Sequence, residues 1–349
     1  MLHGEVAQDI TQEIRIKLSP EEQEQLTRAR KINPEAHKAY LKGRYFWNMW
    51  TADSLERSIE YFCQAIEKDP NFAPAYVGLA NSYSFITQVK SLPAKELMAK
   101  ASVNARKAVE IDDSLAEAHA TLGHIKHQFE WDFEGAEMAF KKAIQINPNS
   151  WEAHIWYGQF LNTMGRHDEA IVEKKRAREL DPLSPFLSVN EAAGYYYSRL
   201  YDRAMEEAHK ALELNPNFWV THWFLANVYI QKDMYEESIA EHEKALDLLG
   251  GLVPLPDLGY VYGVSGRREE AQKILDRLEM ESKQGYIPPT YFASIYMGLG
   301  QKDRVFHWLE KAFEERDRNL VFIVENPNWD SLLLDPRFNA LLKKMGLEK

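Results

Sequence analysis

Residues 65–76 read AIEKDPNFAPAY, and close variants return as AIQINPNSWEAH at 143–154 and ALELNPNFWVTH at 211–222, with ARELDPLSPFLS at 177–188 between them. In every copy an alanine is followed five residues later by a proline that stands behind an acid or an amide. Pro148, Pro182 and Pro216 stand 34 residues apart. A fixed period of this length marks a chain tiled from repeated units. Before each proline comes a small residue, a bulky one and an alanine: Ser58, Phe62, Ala65; Ala136, Phe140, Ala143; Ala204, Ala208, Ala211. The copy between carries Ala170, Lys174 and Ala177. After the proline a second set follows: Tyr76, Leu79, Ala80, Tyr83; His119, Leu122, Gly123, Lys126; His154, Tyr157, Gly158, Leu161; His222, Leu225, Ala226, Tyr229. Steps of three and four residues put each set on one helical face. Each unit is therefore two amphipathic helices, A then B. Turn signals such as MGRHD at 164–168 and SGRRE at 265–269 lie between A and B. Proline closes helix B because it lacks the N–H and clashes with the preceding turn.

Eight such pairs are predicted, at 35–67, 73–111, 116–146, 151–180, 185–214, 219–249, 254–282 and 287–316. The pattern resembles the tetratricopeptide repeat over about four-fifths of the chain. That resemblance implies an all-α, right-handed α-solenoid whose helices A line a concave surface. One hairpin cannot bury its own apolar face, so stability is shared along the stack and its ends need caps. The reading divides the chain into amino-terminal capping helices at 1–33, the array at 34–316 and a carboxyl-terminal capping helix at 317–349. The last helix is read from DPRFNALLKKMGLEK, with Phe338, Leu341 and Leu342 inward. A further resemblance lies in AYLKGRYFWN, WDFEGAEMAFKKAI, VSGRREEAQKILDRL and LLLDPRFNALLKKMGL. These look like the carboxyl half of bacterial signalling proteins in which the repeats follow a TolB-like domain and a cyclase, kinase or winged-helix regulator domain. EVAQDITQEIRIKLSPEEQEQL resembles the closing helix of the TolB-like domain.

Composition narrows the function. The formal net charge is −11 over 349 residues, and no basic stripe is present to neutralise phosphates, which argues against nucleic acid as a partner. A single cysteine, Cys63, allows no internal disulfide or cysteine-based zinc site; its apolar helical context reads as a small buried residue. No basic-then-apolar leader and no run of about 18 apolar residues is present, so the expectation is a soluble, cytoplasmic chain without membrane insertion.

No catalytic motif is found: no phosphate-cradling glycine loop, no GxSxG and no HExxH. The expectation is a protein that is not an enzyme and needs no cofactor. HATLGHIKH places His124 and His127 three apart on one helix, with His119 before them; a metal site would need a third ligand and an open position. His119, His154 and His222 fill a recurring bulky slot, where packing explains them.

The resemblance places the remaining helix A positions on the concave groove. These are Asn81, His124, Gln128, Trp156, Gln159, Asn162, Asn190, Tyr197, Trp223, Asn227 and Tyr260. The set is amide and aromatic. Amides can pair with an extended backbone, and Trp and Tyr give large contact area at low entropy cost. The expected function is non-catalytic binding of a protein or peptide along this groove. Asn81, Gln159, Asn162 and Asn227 would meet ligand backbone, and Trp156, Tyr197 and Trp223 would anchor side chains. The alternative is a sensor or regulatory module of a signalling enzyme or transcription regulator.

Overall fold

The recurring DP and NP phrases are the joints of the array. A computed structural model describes residues 33–49, 51–90 and 92–347. In it Asp69, Asn147 and Asn215 hold extended backbone at the ends of B helices, because a residue before proline is pushed out of the helical region. Their side chains accept the N–H two residues on at 3.0–3.1 Å, which sets the turn. The bulky slot of the next helix then closes the joint from the other side. Tyr76 donates its hydroxyl proton to the Pro70 carbonyl at 3.0 Å, and His154 and His222 bond the Pro148 and Pro216 carbonyls at 3.0 and 2.8 Å. The histidines of this slot are turn fasteners.

Eight hairpins follow. They are α1 (Pro34–Trp47) with α2 (Ala52–Lys68), α3 (Ala73–Val89) with α4 (Ala94–Ile111), and α5 (Ala116–Ile125) with α6 (Phe133–Ile146). Next come α7 (Trp151–Thr163) with α8 (His167–Leu180), α9 (Pro185–Tyr197) with α10 (Tyr201–Leu214), and α11 (Trp219–Ile230) with α12 (Tyr235–Leu249). The last are α13 (Leu255–Val264) with α14 (Arg268–Ser282) and α15 (Pro289–Gly298) with α16 (Lys302–Glu315). Helix α5 runs on into a π-helical turn at Lys126–Glu130. Each A helix packs on its own B helix and on neighbouring A helices. Among the described residues there is no strand, so the chain is an all-α helical solenoid. The helices expected over 1–33 lie, apart from the cap Asn33, outside the described residues.

The bulky slot of helix B explains the small slots of helix A. Phe62 is fully buried between α1 and α3. A Cβ at Gly43 or Gly78 would lie 2.6 or 2.4 Å from its ring. Phe140 meets Gly123 in the same way, at 2.9 Å. In the fourth hairpin the slot holds Lys174, whose stem passes 2.9 Å from the Cβ position of Gly158 and 3.3 Å from that of Gly194. Cys63, one residue past Phe62, is half-buried and not a core residue.

Helices α13 and α15 cross backbone on backbone. A Cβ at Gly298 would sit 2.4 Å from the Tyr260 carbonyl oxygen. No side-chain rotation relieves that contact. Gly298→Ala is expected to cost about 3 kcal/mol, read as a lower urea midpoint; a change below about 0.5 kcal/mol would show that the crossing can spread freely.

After α16 the chain does not simply cap the stack. Two 3₁₀ turns, Arg318–Val324 and Pro327–Leu332, precede α17 (Pro336–Met345). Phe338, Leu341 and Leu342 point inward as the sequence predicts, but their core also holds Phe133, Phe140 and Phe160 of the third and fourth hairpins together with Val305 and Leu309 of the eighth. The end of the array therefore returns to its middle. Arg316 lies 4.1 Å from the Trp131 ring centroid and donates to the Phe129 carbonyl at 3.4 Å. Both Trp131 and Arg316 hold left-handed backbone, φ 57° and 55°, at the ends of their helices.

Candidate functional site

The inner face is divided between the chain's own tail and an open cleft. Residues 316–330 cross the carboxyl ends of the A helices, meeting the second and third hairpins first and the fifth and sixth last. Arg318 enters first. Its Nη1 donates to the Ser84 carbonyl at 2.8 Å and to Thr87 Oγ1 at 3.3 Å, and its Nη2 donates to Gln128 Oε1. The π-helical turn presents Gln128 there, together with His127, whose Nε2 bonds Thr163 Oγ1 at 3.0 Å. Glu325 accepts from Thr163 Oγ1 at 3.4 Å. Asn326 Oδ1 accepts from the Tyr196 hydroxyl at 3.4 Å, and Asn328 Oδ1 from Gln231 Nε2 at 2.6 Å. Arg199 clamps the exit, donating to the Glu325 carbonyl at 2.9 Å and to both Asp330 oxygens at 2.7 and 3.2 Å.

Lys174 reaches this tail from behind. Its side chain is 1% exposed, and its ammonium lies 5.5 Å from the Tyr197 ring centroid. Burial pushes the lysine down and Glu325 up, while each charge favours the other's ionisation. Burial also holds His127 neutral, down to about 3, and lowers His124 well below the usual imidazole range, with Arg318 adding to the effect.

The second region is lined by α1 and α3 over much of their lengths and by the amino halves of α5, α7 and α9. Tyr40, Trp47, Phe85, Trp151, Trp156 and Phe186 surround a cavity of about 120 Å³, with Gly78 and Ala120 also lining it. Asn81 takes part through an amide whose Oδ1 accepts from Thr121 at 3.1 Å, leaving its N–H donors for a ligand. Three charged groups line the same cavity: Arg44, Glu117 and Glu152. Arg44 donates to the Tyr40 hydroxyl at 3.2 Å. Burial, with Glu117 beside it, pushes the Glu152 carboxyl up. A larger surface concavity is lined by Arg199, Asp202, Arg203 and Lys232 among others, but its cations are engaged, Lys232 by Asp202, Arg199 by Asp330 and Arg203 by the Tyr195 ring.

The eleven residues read from the sequence thus fall into different places. Asn81 and Trp156 line the cleft. His124 lies behind it, its ring 4.4 Å from Trp156 and 5.9 Å from Phe85. Gln128 holds the tail through Arg318. Asn162 is buried and accepts from His167, where an open groove position was expected. Gln159 is half-buried and gives its carbonyl to Thr163. Asn190 and Asn227 each donate to the carbonyl four residues back in their own helix, at 2.9 Å. Trp223 donates its indole N–H to Asp257 at 2.7 Å, so this expected anchor is tied to the seventh hairpin. Burial raises Asp257 to about 6 and the half-buried Tyr260 to about 12. Tyr197 lies under Lys174. Sequence reasoning treated the groove as one open surface because nothing in the repeat period reveals where the tail runs. Arg318, Glu325 and the cleft residues Tyr40, Trp47, Glu117, Trp151, Glu152 and Phe186 were missed. The one signal pointing toward the tail was Lys174, a charge in a slot that holds phenylalanine in two other copies.

The three histidines considered for metal are engaged separately. His119 bonds the Asp113 carbonyl at 3.0 Å, His124 stacks on aromatic rings and His127 bonds Thr163. No group of three or more His, Cys, Asp or Glu able to hold a metal occurs among the described residues. Among them, too, no helix is long and apolar enough to cross a membrane.

Comparison with known proteins agrees with this architecture. A tetratricopeptide repeat family model matches residues 139–172. The transcriptional regulator HilA of Salmonella paratyphi A is 28% identical over 166 residues, 48% of this chain and 30% of HilA. The chain therefore spans less than a third of the length of that relative. Human IFIT1 shares the fold with a TM-score of 0.56 at 18% identity, over 79% of this chain and 72% of that one. Yeast Tom70 does so with a TM-score of 0.54 at 18% identity, over 91% of this chain and 69% of that one. The chain thus carries a tetratricopeptide repeat at residues 139–172 within an all-α helical repeat solenoid, the fold that Tom70 and IFIT1 share.

Proposed function

We propose that this protein is a non-catalytic scaffold that binds a segment of a partner protein in the aromatic cleft between its first and fifth hairpins. The observation that carries this reading is the division of the inner face. The carboxyl ends of the A helices are satisfied by the chain's own tail, whereas six aromatic side chains and the donors of Asn81 face a cavity. Aromatic anchors in a concave pocket are the usual carriers of binding energy.

Selection of a phage-displayed random dodecapeptide library on the purified protein tests it. Wild type is expected to enrich peptides, and Trp156→Ala to weaken the best of them by at least about 30-fold, the scale of a hot-spot residue. Asn227→Ala, whose amide serves its own helix, is expected to bind as wild type does. Enrichment by none of the proteins, or equal loss in both variants with helicity unchanged, would refute the cleft as the binding site.

A second reading has its own support. The likeness to HilA, a transcriptional regulator, favours a regulatory module that acts beside an effector domain. An in-frame winged-helix, cyclase or kinase region upstream of Met1 in the genomic DNA would support it.

A further inference from the structure

The cleft has a charge pattern that an apolar peptide would not need. We infer that it accepts a basic side chain, lysine or arginine, of a linear peptide; this rests on the proposed reading of the cleft as a peptide site.

Glu117 stands in the first turn of α5 and Glu152 in the first turn of α7, so successive A helices deliver two carboxylates to one cavity. Neither makes a salt bridge among the described residues. Glu152 accepts a 3.4 Å hydrogen bond from Ser150 and one from its own backbone N–H. Among the described residues the one cation lining the cavity is Arg44, which donates to the Tyr40 hydroxyl and offsets part of the Glu152 charge. Among the described residues, two carboxylates against one guanidinium leave the cavity one negative charge in excess.

The walls suit the same ligand. Trp47, Trp151 and Trp156 are the strongest faces for a cation, and desolvation by the surrounding rings strengthens that attraction. The volume, about 120 Å³, is close to the roughly 150 Å³ that holds a benzene in an engineered protein core. It admits one side-chain head and not a folded element. The donors of Asn81 then remain for a backbone carbonyl of the same peptide. The acidic balance of the whole chain, −11, also draws basic segments toward it.

The test takes the dodecapeptides enriched on wild type and measures binding by fluorescence anisotropy. The peptides are expected to share a lysine or arginine. Replacing that residue by norleucine is expected to weaken binding at least tenfold on wild type and less than twofold on Glu117→Gln/Glu152→Gln. The double variant is expected to fold as stably as wild type, because it loses two like charges. Peptides enriched without a shared basic residue, or a norleucine penalty that persists in the double variant, would overturn the inference and leave the cleft a peptide site of another specificity. Failure to enrich any peptide would overturn the proposed peptide site itself, and the inference with it.

Discussion

Arg318→Met is expected to cost about 3–5 kcal/mol of stability, the scale of leaving buried charge partners uncompensated. The guanidinium is 3% exposed and satisfies three acceptors on two hairpins: the Ser84 carbonyl, Thr87 and Gln128. It also supports the buried carboxylate of Asp317, which caps the turn by accepting from the Thr290 N–H at 3.0 Å and the Asn319 N–H at 2.9 Å. Methionine keeps much of the stem and none of the donors. Urea denaturation reads the loss, and amide exchange across residues 318–330 reads its location: protection there is expected to fall before that of α7 or α9. A cost below about 1 kcal/mol would mean that the tail is kept in place by its apolar side chains and α17 alone.

The second large effect concerns Lys174 and Glu325. Glu325→Leu alone is expected to be costly where Glu325 is ionised in wild type, by up to about 3 kcal/mol above about pH 8, because it then takes the counter-charge away from the buried Lys174. Lys174→Met/Glu325→Leu removes both charges and is expected to be about as stable as wild type or more so, since apolar replacement of a whole buried pair is often neutral or favourable. Equal losses in the single and the double variant would show that packing, not charge, sets the cost.

The pH dependence follows from the direction of the carboxyl's shift. Burial raises Glu325, so the native state keeps a proton that the unfolded chain releases above about 4.5. That contribution favours folding at acidic pH and is lost as pH rises above 4.5 towards the native value. Wild type is therefore expected to lose stability relative to the double variant between pH 5 and pH 8, measured by urea midpoints at each pH.

The repeat was legible because its determinants are local and periodic. A residue before proline whose carboxylate or amide caps the turn, and a tyrosine or histidine six residues past the proline, fix each joint within a dozen residues. Phe62 and Phe140 against Gly43, Gly78 and Gly123 fix the packing at the same period. The division of the inner face was not legible. Arg318 and Ser84 are 234 positions apart, and no spacing rule links them. The amide positions were read by helical phase alone, which cannot tell an amide facing a ligand from one returned to its own helix, as Asn190 and Asn227 are. Lys174 was visible as an irregularity, but its meaning depended on Glu325, 151 positions away.

The return of the tail to the middle of the array sets the number of repeats. In an open solenoid a hairpin can be added or removed at modest cost, because each unit touches only its neighbours. Here the eighth hairpin and α17 share a core with the third and fourth, and Arg316 must reach Trp131. One hairpin more or fewer between the second and the eighth would carry the end past its seat and part the contacts from Arg318 to Asp330 together. Such a chain has a counted length, as a closed ring does. Duplication of a repeat, an ordinary route by which solenoids grow, is closed to it unless the tail changes in the same step.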